Sequence, residues 1–95
     1  MTTKGPSALL RLPSVLKMAV GTDEIAVHGK TIPEALRSAF EQIPQLEKHL
    51  LLESGDIRPH ILCVVNGDSV PRSDVAGFEI REGDEILIHQ AISGG

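Results

Sequence analysis

Aromatic residues are almost absent from this sequence, which holds two phenylalanines, Phe40 and Phe78, and no tryptophan or tyrosine. Proteins that bind single-stranded nucleic acid stack its bases on aromatic side chains and follow its backbone with lysine and arginine. The formal net charge is -4 and no basic run occurs, so nucleic-acid binding is not expected. The core must therefore be aliphatic, and a hydrophobic content of 41% is ordinary for a globular protein.

Cysteine is scarce as well, because Cys63 is the only one in the chain and no intramolecular disulfide can form. A reducing compartment fits this usage, and we expect a cytoplasmic protein. Cys63 lies in the apolar run 61–65, which predicts a small buried side chain rather than a catalytic thiolate. No metal site is predicted, since the histidines show no close ligand spacing. They are His28, His49, His60 and His89.

Long hydrophobic runs are missing too, and none approaches the roughly 18 residues that a membrane span requires. The segment 8–20 is fairly apolar and follows Lys4, as in a signal peptide. Arg11, Pro13 and Lys17 interrupt it, however, and no clean cleavage pattern follows. We interpret the segment as a strand plus a loop, and no membrane association is expected.

The clearest local signal is a capping box at the start of a predicted helix. Thr31 can accept a hydrogen bond from an early helical amide, and the Glu34 side chain can reach back to the amide of Thr31. Pro33 suits the first turn, and Pro44 ends the helix near Gln42. Apolar residues recur along it at steps of four, four and three, which predicts one buried face. They are Ile32, Leu36, Phe40 and Ile43.

Segments with strand character precede and follow this helix. They are 8–12, 24–28, 60–65, 68–70 and a final strand that begins at Glu85 after the turn 82–84. Asn66-Gly67 favours a tight reversal between two of them, and Pro71 limits the returning strand to an edge of the sheet. The segment 14–23 is ambiguous between a loop and a helical turn, and 73–78 is irregular with room for one turn.

The order of elements is hairpin, helix, hairpin and final strand. The final strand is predicted to lie centrally and parallel to the first, because both are apolar and lack edge-protecting charges. This is an α+β, β-grasp layout like that of ubiquitin: a mixed sheet of about five strands, covered by one main helix. One domain over residues 1–95 is expected. Its predicted core is Leu10, Leu12, Ile32, Leu36, Phe40, Ile61, Val65, Ile86 and Ile88.

The end of the sequence has two interpretations. A final strand runs out into Gly94-Gly95, and chain ends rich in glycine are commonly frayed. Alternatively, the end is a tail that is threaded into the active site of another protein. Glycine has no Cβ, so its backbone can approach another surface closely.

Taken together, these features resemble the ubiquitin-like sulfur carriers of the ThiS/MoaD family, which serve thiamin, molybdopterin and cysteine biosynthesis. The resemblance rests on the capped helix after a short hairpin, on Val-Val-Asn-Gly at 64–67, and on Gly-Asp-Glu at 83–85 leading to the terminal Gly94-Gly95. It covers nearly the whole chain after residue 7. The long segment before the second hairpin is more like the molybdopterin and cysteine carriers. Many molybdopterin-type carriers have prolines before the tail, where this chain has His89 and Gln90, so the pathway stays open.

The resemblance implies a carrier and substrate rather than an enzyme, with no bound cofactor and no catalytic residue of its own. A partner adenylating enzyme would use ATP to activate Gly95, and a sulfur nucleophile would then form a thiocarboxylate there. Ile92, Ser93 and Gly94 would enter the channel of that enzyme. A sulfur donor, such as a cysteine desulfurase or a rhodanese, and a sulfur-accepting synthase would be further partners.

A partner surface is predicted on the open face of the sheet, because strand side chains alternate and residues next to the core positions point away from the helix. Its residues are Leu9, Leu62, Val64, Leu87 and His89. Two other functions remain open. The protein could be a modifier joined through Gly95 to lysines of target proteins. It could also be a small interaction module with an incidental Gly-Gly end.

Overall fold

A computed structural model describes residues 5–90, and within them the strands form one five-stranded sheet. The strands are β1 (Ser7–Arg11), β2 (Glu24–His28), β3 (Ile61–Val65), β4 (Asp68–Val70) and β5 (Asp84–Gln90). The helices are α1 (Ser14–Val20), α2 (Ile32–Gln42), α3 (Leu46–Leu50) and a 3₁₀ helix (Arg72–Gly77). The predicted α+β order of hairpin, helix, hairpin and final strand is confirmed.

The strand order is β2-β1-β5-β3-β4, which places the last strand in the centre of the sheet. β5 runs parallel to β1 and antiparallel to β3, as the apolar character of both end strands predicted. Ile86 of β5 lies opposite Leu10 on one side and Val65 on the other. A parallel pair needs a long connection, and here α2 supplies part of it while covering one face of the sheet. The β-grasp prediction is therefore confirmed.

The start of α2 confirms half of the predicted capping box. The Thr31 hydroxyl oxygen accepts a hydrogen bond from the Glu34 amide at 3.3 Å. The return bond was wrongly assigned to Thr31, because Glu34 Oε1 accepts from the amide of Lys30, at 3.0 Å. Thr31 forms an isolated antiparallel bridge with Glu79, and this pairing holds the chain extended before the helix. The carboxylate therefore meets the amide one residue earlier than in the standard motif.

The core lies between the sheet and α2, and its large side chains are aliphatic. Eight of the nine predicted core residues are buried: Leu10, Leu12, Ile32, Leu36, Ile61, Val65, Ile86 and Ile88. Phe40 is the exception and is only half-buried. Ala35 and Ala39 occupy the middle of the buried face of α2, so the helix packs closely there. Phe40 is thereby left at its flank, where it lines a groove of about 680 Å³.

The segment 14–23, which the sequence left open between a loop and a helical turn, forms the helix α1 over Ser14–Val20. The amides of Leu16 and Lys17 both donate to the Pro13 carbonyl, and Gly21 ends the helix with a φ of 92°. Positive φ is accessible to glycine without steric cost, which makes it a frequent helix stop. Leu16 is buried in the core, so tertiary packing stabilises a helix that is only seven residues long.

Side chains of α2 cover the free edge of β2. The Ser38 hydroxyl accepts a hydrogen bond from the His28 amide at 3.2 Å, and Gln42 Nε2 donates to the Ala26 carbonyl at 2.7 Å. The other edge strand, β4, has three residues and is followed by Pro71, as predicted. Edges protected in this way resist pairing with strands of other chains.

Replacing Gly29 by alanine is expected to reduce the free energy of unfolding by about 1–3 kcal/mol. A Cβ at this buried glycine would lie 2.5 Å from the Ala35 nitrogen and 2.7 Å from the Glu34 carbonyl carbon, so the first turn of α2 would have to move. Gly77→Ala is the matched control, because nothing lies within 4 Å of its added Cβ. Urea unfolding measures both variants. Equal midpoints would show that α2 does not pack against Gly29.

Candidate functional site

The predicted tail residues, Ile92, Ser93, Gly94 and Gly95, lie outside the described residues, but the structure shows the strand that leads to them. β5 ends at Gln90, opposite Ile61 at the start of β3. Pairing with β1 stops earlier, where Leu87 lies opposite Arg11. The chain therefore leaves the centre of the sheet at the end where β1 turns into α1. We call this end of the sheet the exit end.

The residues predicted as a partner surface all lie on the face of the sheet opposite α2. We call them the outer-face patch: Leu9, Leu62, Val64, Leu87 and His89. Leu62 lies opposite His89, and Val64 lies opposite Leu87. Leu62 and Leu87 are 44% and 36% exposed, His89 is exposed, and Leu9 and Val64 are half-buried. The structure thus brings the five side chains onto three neighbouring strands, while their role in binding stays a prediction.

Charged side chains border this patch. Arg11 lies between Glu24 of β2 and Glu85 of β5, with nitrogen–oxygen distances of 3.3 Å to each carboxylate. All three side chains are about half exposed, so these ion pairs contribute little to stability. Leu87 lies next to Arg11 across the β1–β5 pair, and the apolar patch therefore has a polar margin on its β1 side. Such a margin is typical of protein–protein interfaces.

Two of the motifs on which the family resemblance rests contact each other at the opposite end of β5. Asn66 Nδ2 donates to Asp84 Oδ1 at 2.8 Å, and Asn66 Oδ1 accepts from the Glu85 amide at 2.9 Å. Asp84 Oδ2 also accepts from the Arg81 amide at 2.8 Å. Asn66 and Gly67 have φ of 50° and 89°, as the tight reversal requires. The Asn-Gly turn and the Gly-Asp-Glu turn therefore fix the start of β5 together. The sequence did not predict this structural role, because the two motifs are far apart in the chain.

Cys63 is buried on β3, opposite Ile88, as the sequence predicted. Burial raises the pKa of its thiol from the ordinary value of 9.0 to about 11. The thiol is therefore protonated at neutral pH and shielded from solvent, and it is unsuited to act as a nucleophile.

The free energy of unfolding should fall between about pH 9 and pH 11 because of this thiol. In that range the unfolded chain has lost the thiol proton and the folded chain still holds it, so rising pH favours unfolding. The fall attributable to Cys63 should approach about 2–3 kcal/mol. Cys63→Ala should lack it, and urea unfolding of both proteins at several pH values measures the difference. Parallel stability profiles would contradict the raised pKa.

Two further findings concern the part of the chain that the structure describes. None of its helices is long and apolar enough to cross a membrane. Between residues 5 and 90, no three His, Cys, Asp or Glu side chains come together as a metal ion would require.

The order of the five strands, with the last strand in the centre of the sheet, defines a small β-grasp protein of the ubiquitin-like class. Residues 11–95 match the model of the ThiS family, and the chain belongs to that family. The resemblance seen in the sequence is confirmed. A search of curated protein sequences found no significant match.

Solved structures with this fold include two small archaeal modifier proteins. SAMP1 from Haloferax volcanii is 25% identical with a TM-score of 0.80, over 94% of this chain and 99% of that one. SAMP1 from Methanosarcina acetivorans is 26% identical with a TM-score of 0.79, and the match covers 95% of this chain and 97% of that one. A chain in the Amycolatopsis orientalis BexX/CysO complex shares the fold at 22% identity and a TM-score of 0.78, over 93% of this chain and 99% of that one.

Proposed function

We propose that this protein is a sulfur carrier whose C-terminal Gly95 is adenylated by a partner enzyme and converted to a thiocarboxylate. The observation that carries the proposal is the match to the ThiS family, which extends from residue 11 to Gly95 itself. The fold adds a rigid base for such a tail, since β5 is held between β1 and β3 up to Leu87 and by β3 up to Gln90.

The proposed chemistry follows from the weakness of a carboxylate as an acyl donor, since its leaving group would be oxide. ATP on the partner enzyme converts the Gly95 carboxylate to an acyl-adenylate and releases pyrophosphate. A hydrosulfide ion from the sulfur donor then attacks the carbonyl carbon: a C–S bond forms, the C–O bond to AMP breaks, and the S–H proton passes to solvent, which leaves the thiocarboxylate on Gly95. The buried, protonated Cys63 is not suited to supply that nucleophile. In this proposal the protein is the substrate, and a sulfur donor and an accepting synthase complete the cycle.

The test of this function is intact-protein mass spectrometry after incubation with ATP, a sulfur donor and each purified adenylating enzyme of the source cell. The expected product has one oxygen replaced by one sulfur, localised to the C-terminal peptide. Absence of an adenylate with every such enzyme would overturn the proposal. The receiving pathway is then identified by offering the thiocarboxylate protein to the sulfur-accepting synthases of thiamin, molybdopterin and cysteine biosynthesis. The synthase that takes up the sulfur indicates the pathway.

The outer-face patch is proposed to dock the adenylating enzyme. Leu62→Asp and Leu87→Asp should leave folding intact, because both side chains already contact solvent, but should weaken binding about tenfold or more. Leu52→Asp is the matched control, since Leu52 is 37% exposed but lies in the groove beside α2. Isothermal titration calorimetry measures the three dissociation constants. Equal binding by all three variants would remove the patch from the interface.

A second candidate function is protein modification through an isopeptide bond from Gly95 to a lysine. The similarity to two structures described as small archaeal modifier proteins favours it. Adenylation is common to both functions, so the products distinguish them: lysine adducts without a thiocarboxylate would indicate a modifier. Deleting Gly94 and Gly95 tests the remaining alternative, because a plain interaction module would keep its partner binding without them.

A further inference from the structure

The helix α1 carries an apolar face that contributes nothing evident to the fold. Five large apolar side chains are exposed among the described residues, and two of these belong to α1. Met18 is 88% exposed and Val15 is 57% exposed. Residues three apart lie on the same side of a helix, so the two side chains are neighbours. Leu16, between them in sequence, is buried and fixes α1 against the core.

The position of α1 is at the exit end of the sheet. β1 ends at Arg11, opposite Leu87, and α1 begins three residues later. β5 continues past Leu87 to Gln90 beside the place where β1 has turned away. At its other end α1 is tied to the α2–α3 connection, because Gln45 Nε2 donates to the Ala19 carbonyl at 3.4 Å. The helix therefore lies at the same end of the sheet as Gln90, the last described residue of β5.

The length of the tail limits how far an enzyme can be from α1. Gly95 follows Gln90 by five residues, and five fully extended residues span at most about 17 Å. An active site that reaches Gly95 must therefore bring the surrounding enzyme surface close to the exit end. We expect part of the surface at that end to be buried in such a complex, and an exposed apolar side chain can be buried there without the desolvation cost of an unpaired charge. Apolar side chains suit the position, and methionine is enriched at protein interfaces.

We propose that the Val15–Met18 face of α1 is a second docking surface for the adenylating enzyme, and that it contacts an apolar area beside the entrance to the tail channel. The inference rests on the proposed function, in which Gly95 is the reacting residue. The outer-face patch reaches the same end of the sheet, because Leu62 lies opposite His89 near the end of β5. The two surfaces flank the exit of the tail, one on the sheet face and one at its end, and together they orient the carrier.

The experiment compares Met18→Glu with the wild type, with Leu52→Glu as the matched control in the groove beside α2. Calorimetry with the purified adenylating enzyme gives Kd, and pyrophosphate release gives kcat and KM for the carrier. Met18→Glu should raise Kd and KM about tenfold or more and leave kcat at saturation unchanged, because docking and not chemistry is altered. Met18→Leu, which preserves the apolar volume, should restore wild-type binding. Thermal midpoints should not differ.

A Kd for Met18→Glu equal to that of Leu52→Glu would overturn the docking surface. A fall in kcat with unchanged Kd would also overturn it, since the side chain would then act on the chemical step. The proposed function can fail separately: a wild type that binds the enzyme but is never adenylated removes the sulfur-carrier proposal, while the comparison of Kd values still decides the role of α1. If the wild type does not bind at all, both proposals are wrong.

Discussion

One alanine added after Gly95 is expected to abolish thiocarboxylate formation while leaving the fold and the binding of the adenylating enzyme intact. The extra residue removes the carboxylate from Gly95 and displaces the reacting carbonyl along the tail by about 3.4 Å. Misplacement by even about 1 Å can cost two orders of magnitude in rate, so we expect a loss of at least about 100-fold. Pyrophosphate release and intact-protein mass spectrometry measure the two steps.

The control carries the same alanine before Met1 instead, so it has the same mass and composition but an unchanged tail. It should react like the wild type. Calorimetric binding of both variants shows that docking surfaces on the folded part are preserved. Equal thiocarboxylate yields from the two variants would contradict the role assigned to Gly95.

Ile86→Ala is expected to lower the free energy of unfolding by about 2–5 kcal/mol. Ile86 is completely buried on the central strand, and both neighbouring strands place core residues opposite it. Its truncation leaves a cavity in the middle of the sheet that the paired strands cannot close by moving together. Leu36→Ala, on the facing side of α2, should have a comparable effect, because Leu36 is also buried. Urea unfolding at constant pH measures both.

Leu87→Ala provides the control on the same strand. Its side chain points to the outer face and already contacts solvent. The free energy of unfolding should therefore fall by less than about 1 kcal/mol. Similar losses for Ile86→Ala and Leu87→Ala would mean that the alternation of buried and exposed residues along β5 is wrong.

The sequence by itself determined the elements whose causes are local. The Thr31 cap, the apolar steps of the helix and the stop before Pro44 predicted α2, which runs from Ile32 to Gln42. Asn66-Gly67 predicted the second hairpin, since both residues must adopt positive φ there. Alternation along β5 also predicted which side chains face away from α2, because a strand has a period of two. The outer-face patch could therefore be named without coordinates.

Only the tertiary structure decided the features that depend on contacts between distant residues. A helix of seven residues is not stable alone in water, so α1 exists because Leu16 is buried against the core. Phe40 lies at the flank of α2 because Ala35 and Ala39 occupy the buried face. The bonds between Asn66 and Asp84 join residues that the fold brings together. The location of Met18 at the exit end likewise depends on α1 forming directly after β1, which the sequence left open between a loop and a helical turn.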